Sequence, residues 1–392
     1  MSNLNDAAYR RVDASFGEHR PSLEATIERF ADLAALRRRW EQVEAMPVLA
    51  ETRDDGVDQS WSNLDIRTLV RGEQSAGRFS AHSLKLPKGA GLPAHYQEDA
   101  HTFVLVVEGA VELGVGKLLE PAGQYTVASV PPRTRLSFRN TSDEPVTLTV
   151  VYSPAGVDRA FGAAHEHWKK TGDQDETAYR EILARYGFRF DAQALENDDK
   201  TNVSIPPIEL DIRDYGDLEA LRAAFASRPA LPRLVQTTAA EFATQEAGKT
   251  FRKEVVNGDE TGGQGMINLL SGSPGFKAFP HYQPTEEEFF FVMDGLLEMT
   301  CATELRTLKA GGFAFCPRNC THGFANPSST GNTRFLTLNS PAGHERAMAS
   351  IRRAVSQGGA TKEQLHELSV IGGFIFHGMP ELAGSEPGLR KS

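Results

Sequence analysis

Cysteine is scarce in this chain of 392 residues: three occur, Cys301, Cys316 and Cys320, all in the C-terminal half and with no paired zinc-type spacing. So few cysteines exclude a disulfide framework and fit a reducing compartment. Long apolar runs are also missing. No stretch approaches the ~18 apolar residues that a bilayer span needs. The opening MSNLNDAAYRR is polar and has no apolar core, so neither a signal peptide nor a membrane partner is expected, and a cytoplasmic location is. Basic surplus is absent as well. A formal net charge of −10, with no helix-turn-helix pattern, argues against a nucleic-acid partner. What remains is globular: 40% hydrophobic and 24% charged residues, in a chain long enough for two or three domains.

The chain repeats itself. LPAHYQEDAHTFVLVVEGAVEL from Leu92 resembles FPHYQPTEEEFFFVMDGLLEM from Phe279, and His95 and His281 stand 186 positions apart. The same offset relates Gly72 to Gly258, Gly77 to Gly263, Gly109 to Gly295, Asn140 to Asn326 and Gly187 to Gly373. SPAG occurs at Ser153 and again at Ser340. Register kept over this length marks a duplication. The two units are expected at 1–196 and 209–392, joined by the polar, proline-containing stretch from Asn197 to Ile208.

Each unit follows one grammar. A helical lead-in comes first: Ser22 to Val48, started by Pro21-Ser22, in one copy, and Asp217 to Phe225 plus Thr238 to Glu246 in the other. Short strands rich in Val, Phe, Thr and Leu follow, broken by Gly, Pro and Asn turns. A helical tail closes each copy, ETAYREILARYGF and KEQLHELSVIGGF. The expected fold class is all-β, an antiparallel sandwich or small barrel in each unit.

The second copy reads HYQPTEEEFFFVMDG and then AGGFAFCPRNCTHGFAN. This resembles the cupin pattern, His-x-His-x4-Glu before a glycine turn and then Pro-x-Gly-x2-His-x3-Asn. His281 takes the first position, Gln283 the second, Glu288 the acid position and His322 the later histidine, four residues before Asn326. The chain is thus identified as a bicupin, and the resemblance implies tandem double-stranded β-helix (jelly-roll) barrels. The metal ligands it implies are His281, Glu288 and His322, with Gln283 as a weak fourth or as an orienting group.

The spacing has a physical reason. Alternate residues of a strand share a face, so His281 and Gln283 point together, and Glu288 shares its face with Phe290 and Val292. Two imidazoles and a carboxylate around a divalent transition metal leave positions open, as in non-haem Fe(II) oxygenases. Fe(II) is the favoured ion, with Mn, Co, Ni or Zn as alternatives. In the first copy the equivalents are His95, Gln97, Thr102 and Leu136. Leucine cannot coordinate, and His101 should face away if Thr102 faces in, so this unit is expected to bind no metal.

Other residues have narrower readings. Asn268, at the place of His82, is a candidate substrate hydrogen-bond donor, and Phe290 a candidate pocket wall. Phe289 and Phe291 should pack outward. Glu286 and Glu287 are expected to be a solvated charge run, Cys316 and Cys320 buried small hydrophobes, and His165 and His167 surface residues.

SPAG-x-x-R-A after each barrel resembles the quercetin-dioxygenase-like group of bicupins, which act on aromatic or phenolic acids. That resemblance implies an oxidoreductase: a metal-dependent dioxygenase on a small aromatic, phenolic or enolic substrate, with O2 as co-substrate. Glu288 could alternatively serve as general base. A cupin lyase, isomerase or hydrolase without O2, or a non-catalytic binding protein, stays open, as does a homo-oligomer.

Overall fold

The structure is a computed structural model. It describes residue 23 and residues 25–376, except 52–58, 62–63, 173–174, 191–194, 213–214, 243–249, 357–360 and 362–372. Among the described residues the strands form four antiparallel sheets, two in each repeat. The first repeat pairs a sheet built on His101–Glu108 and Val146–Ser153 with a smaller one built on Gly91–Gln97 and Leu136–Arg139. The second does the same with Glu287–Asp294 and Thr333–Ser340 against Lys277–Tyr282 and His322–Ala325. Each repeat is thus an all-β double sheet closed around its own core.

Strand alternation divides the apolar side chains cleanly. In the first repeat Val104, Val106, Leu148 and Val150 fill the interior. Their neighbours Phe103, Leu105 and Val151 point outward and join Ile267, Leu269, Phe289, Phe291, Leu336 and Leu338 in one cluster shared by both repeats. Burying each such side chain contributes about 1.5–3 kcal/mol. Phe289 and Phe291 thus face out of their own barrel and into the joint, as their alternation with Glu288 and Phe290 requires.

The joint is also laced by strands. Val48–Glu51, from the first lead-in, pairs with Gly312–Cys316 of the second barrel. Arg233–Val235, from the second lead-in, pairs with Val127–Val130 of the first. Each repeat lends a strand to the other's sheet, at equivalent places in the duplication.

The helical segments differ in part from expectation. The first helix is Phe30–Trp40, and the expected start at Pro21-Ser22 lies outside the described residues. Asp32 Oδ2 accepts from the backbone N–H of Arg29 at 2.9 Å and of Glu28 at 3.2 Å, satisfying the first turn. In the second lead-in Tyr215–Ala226 is a helix, but Thr238 onward gives only a 3-10 turn at Ala239–Phe242, with 243–249 outside the described residues. The first tail forms the helix Glu176–Ala184, and Asp175 caps it. The second tail lies outside the described residues until Gly373. His165 and His167 sit half-buried on the helix Val157–Thr171. No described helix is long and apolar enough to cross a membrane.

Both barrels keep one structural amide. Asn140 Nδ2 donates to the carbonyls of Leu86 and Glu144, and Asn326 Nδ2 to those of Gly272 and Gly331. The motif asparagine therefore ties a turn and persists in both copies. At Gly295, φ is +75° and a Cβ would meet the Asn332 carbonyl oxygen at 2.4 Å, so the turn there admits only glycine.

Candidate metal centre

Three strand segments bring the residues together. His281 on Lys277–Tyr282 stands opposite His322 on His322–Ala325 in the strand register. Glu288 enters from Glu287–Asp294, in the facing sheet. His281, Glu288 and His322 each offer a ligand atom, and these atoms lie within 4.8 Å of one another. All three are buried, with the two imidazole rings 4.5 Å apart between centroids.

The hydrogen bonds fix the orientations. His322 Nδ1 lies 3.0 Å from the Cys320 carbonyl oxygen, an acceptor only, so this nitrogen carries the proton. His322 Nε2 then faces Glu288 Oε2 at 3.0 Å. In the neutral ring this nitrogen is an acceptor, and so is the carboxylate. Two acceptors at this distance need a proton or a cation between them. The metal-free site meets the need by protonation. Burial works against the charged ring, but the hydrogen bond and charge of Glu288 hold the His322 imidazole above its usual range. Burial likewise pushes Glu288 up, yet His322, His281 and Gln283 together hold its carboxyl below the ordinary carboxylate value. The donor set fits a divalent metal, which would replace that proton.

Gln283 is buried, and its Nε2 donates to the same Glu288 oxygen at 3.1 Å. The amide thus holds the carboxylate in place. Phe290 is fully buried, 5.8 Å from the His322 ring and 5.0 Å from Phe324. It forms apolar wall beside the histidines. Asn268 faces inward, since Ile267 and Leu269 face the joint. Its Oδ1 accepts from Arg252 Nε at 2.8 Å, and its Nδ2 has no hydrogen-bond partner among the described residues.

Sequence reasoning passed over Asn339. It is the cross-strand neighbour of Glu288, is 1% exposed, and neither amide atom has a partner among the described residues. A signal was available, because the SPAG repeat aligns Asn339 with Tyr152, another inward polar side chain.

The glutamates before Glu288 correct the expectation of a solvated run. Glu286 is 1% exposed and Glu287 is fully buried. Glu286 pairs with Arg222, and burial, partly offset by that arginine, pushes its carboxyl up to about 8. Glu287 lies in the joint, its Oε1 2.5 Å from Arg78 Nε and 2.8 Å from Arg318 Nε, while its Oε2 accepts a hydrogen bond from the Arg318 guanidinium at 3.3 Å. A buried carboxylate needs such partners, and they come from distant segments that a local reading does not see.

The first barrel brings together a different set. His95 stands opposite Leu136 in register and lies 5.3 Å from the Phe188 ring. His101 faces out, stacking on Phe103 and bonding Ser129 Oγ at 2.8 Å. Among the described residues, His281, Glu288 and His322 are the one group of histidines and carboxylates whose ligand atoms all lie within 4.8 Å of one another.

A family model described as a cupin domain matches the chain twice, at residues 82–152 and 269–339. Among curated proteins the chain is similar to quercetin 2,3-dioxygenase of Bacillus subtilis, at 23% identity over 285 residues, covering 72% of this chain and 79% of that protein. Similar solved structures include the protein Ylba from E. coli, at 12% identity and TM-score 0.47, covering 76% of this chain and 92% of that one. Another is oxalate decarboxylase from Bacillus subtilis, at 13% identity and TM-score 0.45, covering 81% and 85% of the two chains. With a cupin domain on each of its two double sheets, the chain is a bicupin.

Proposed function

We propose that the second unit, 209–392, is a metal-dependent dioxygenase that cleaves a small aromatic, phenolic or enolic substrate with O2, and that the first, 1–196, binds no metal. The observation that carries this is the meeting of His322 Nε2 and Glu288 Oε2, two acceptors 3.0 Å apart beside His281 in the buried interior of the second barrel. The likeness to a protein named quercetin 2,3-dioxygenase supports the choice of reaction. A divalent ion held by His281, Glu288 and His322, with Fe(II) favoured, would supply Lewis acidity and open positions for substrate oxygen and O2.

The chain's own residues do the rest. The Cys320 carbonyl holds the His322 ring so that Nε2 points at the centre. Gln283 orients Glu288 and keeps one of its oxygens occupied, which makes the amide an orienting group before it is a ligand. In the alternative arrangement, with Glu288 not a ligand, its inward carboxylate takes the proton of a substrate hydroxyl instead. Phe290 excludes water from one side, and the Asn268 amide is placed to donate to substrate.

The test is oxygen consumption by metal-loaded protein over a panel of phenols and enols, read beside product formation. Uptake matched to product, and absent in His322→Ala, is the expected result. Turnover that continues unchanged without O2 would instead make the protein a metal-dependent lyase, isomerase or hydrolase.

A further inference from the structure

Folding brings the chain's three cysteines into one contact. Cys301 ends the strand Leu296–Cys301 and stands opposite His322 in register. Cys316 ends Gly312–Cys316, opposite Glu288. Cys320 follows in the turn that its own N–H closes onto the Pro317 carbonyl. Cys301 Sγ lies 3.3 Å from Cys316 Sγ and 3.6 Å from Cys320 Sγ, and all three residues are fully buried.

Burial by itself does not explain this. A free thiol behaves as a small hydrophobe and needs an apolar neighbour, not another thiol. The interior offers such neighbours in quantity: Phe290, Leu297, Leu308 and Phe335 belong to the same cluster. Yet the only three cysteines in 392 residues meet, Cys301 from one strand and Cys316 and Cys320 from the end of another and the turn after it. We propose that Cys301, Cys316 and Cys320 form a second metal site, for a thiophilic d10 cation such as Zn(II) or Cu(I).

The spacing suits that class of ion. Metal–sulfur bonds of about 2.3 Å put thiolates roughly 3.8–4.0 Å apart in tetrahedral or trigonal sites, and the two contacts that Cys301 makes need only a small spread to reach that. Soft thiolate donors select Zn(II) and Cu(I) over the oxygen-seeking ions that suit carboxylates. Met299, two residues before Cys301 in the same buried cluster, adds a polarisable thioether to the surroundings. The proposal goes beyond the dioxygenase reading and does not depend on it, because no histidine or carboxylate enters the donor set.

Cd(II) is the probe, titrated into reduced, chelator-stripped full-length protein without oxygen. The expected result is an ultraviolet thiolate-to-Cd(II) charge-transfer band that saturates at stoichiometric metal. It persists in His322→Ala, which cripples the other centre, and is lost in folded Cys301→Ser. Cys320→Ser replaces that variant if circular dichroism shows Cys301→Ser to be unfolded. No band in the wild type, a band unchanged by either cysteine variant, or one lost in folded His322→Ala overturns the proposal.

Discussion

The two barrels share a strand plan and differ in what faces the interior. Opposite the first motif histidine, the first barrel presents Leu136 and the second His322. Where the second has Glu288, the first has Thr102, equally buried. The consequence reaches beyond ligand count. With no acid beside them among the described residues, burial drives the His82 imidazole down to about 3 and that of His95 to about 4, so both are neutral at ordinary pH. In the second barrel His322 is equally buried, yet its pKa is raised because Glu288 accepts its proton. A buried charge survives where it has a partner, and losing the acid removes the charge from the whole chamber. The first barrel retains polar atoms without partners among the described residues, including His82 Nε2, His95 Nε2, the Gln97 amide and the Tyr152 hydroxyl. None of these four side chains is a carboxylate.

Two variants, the first with a matched control, sharpen this contrast, in order of expected effect. Gln283 orients Glu288, whereas the side-chain amide of Gln97, its equivalent, has no hydrogen-bond partner among the described residues. Gln283→Leu should weaken metal binding by about 10–100-fold, the usual cost of losing a group that orients a ligand. Gln97→Leu should leave affinity unchanged. Competition against a chelator of known affinity measures both, and equal effects would break the contrast.

The second variant concerns acid. A buried neutral histidine has its folded pKa depressed below the unfolded value of 6.5, so the native state binds fewer protons in acid. Its contribution is present above pH 6.5 and is lost as pH falls from there toward about 4 for His95. His322 has the opposite sign: its raised pKa contributes stability below 6.5, which is lost as pH rises through the folded value. Metal-free protein should therefore lose stability from pH 6.5 to 4.5 through the first barrel while the His322–Glu288 pair is still intact. His95→Leu should make that slope shallower by up to about 1.4 kcal/mol per pH unit. Thermal melts across the range would show it, and an unchanged slope would place the acid sensitivity elsewhere.

Much of this was legible in the sequence. The duplication set the two-barrel plan, and period-two alternation put Glu288 and Phe290 inside and Phe289 and Phe291 on the outer face, which the structure shows to be the joint. Motif spacing brought His281, Glu288 and His322 to one point. What escaped was set by chain segments far apart in sequence. The glutamates at 286 and 287 look solvated until Arg222, Arg78 and Arg318 arrive around them. The exchanged strands Val48–Glu51 and Arg233–Val235 are too short to carry a pattern of their own. Cys301 stands apart in sequence from Cys316 and Cys320, so no compact motif announced the thiol contact.

The central claim is that one barrel of two binds metal through histidine and glutamate. Its most direct test is elemental analysis of the wild type, His322→Ala and the matched first-barrel variant His95→Ala, each reconstituted with Fe(II) and freed of excess. The account predicts iron in the wild type and in His95→Ala, and none in folded His322→Ala. Iron retained by His322→Ala but lost from His95→Ala, or no iron in any of them, would contradict it.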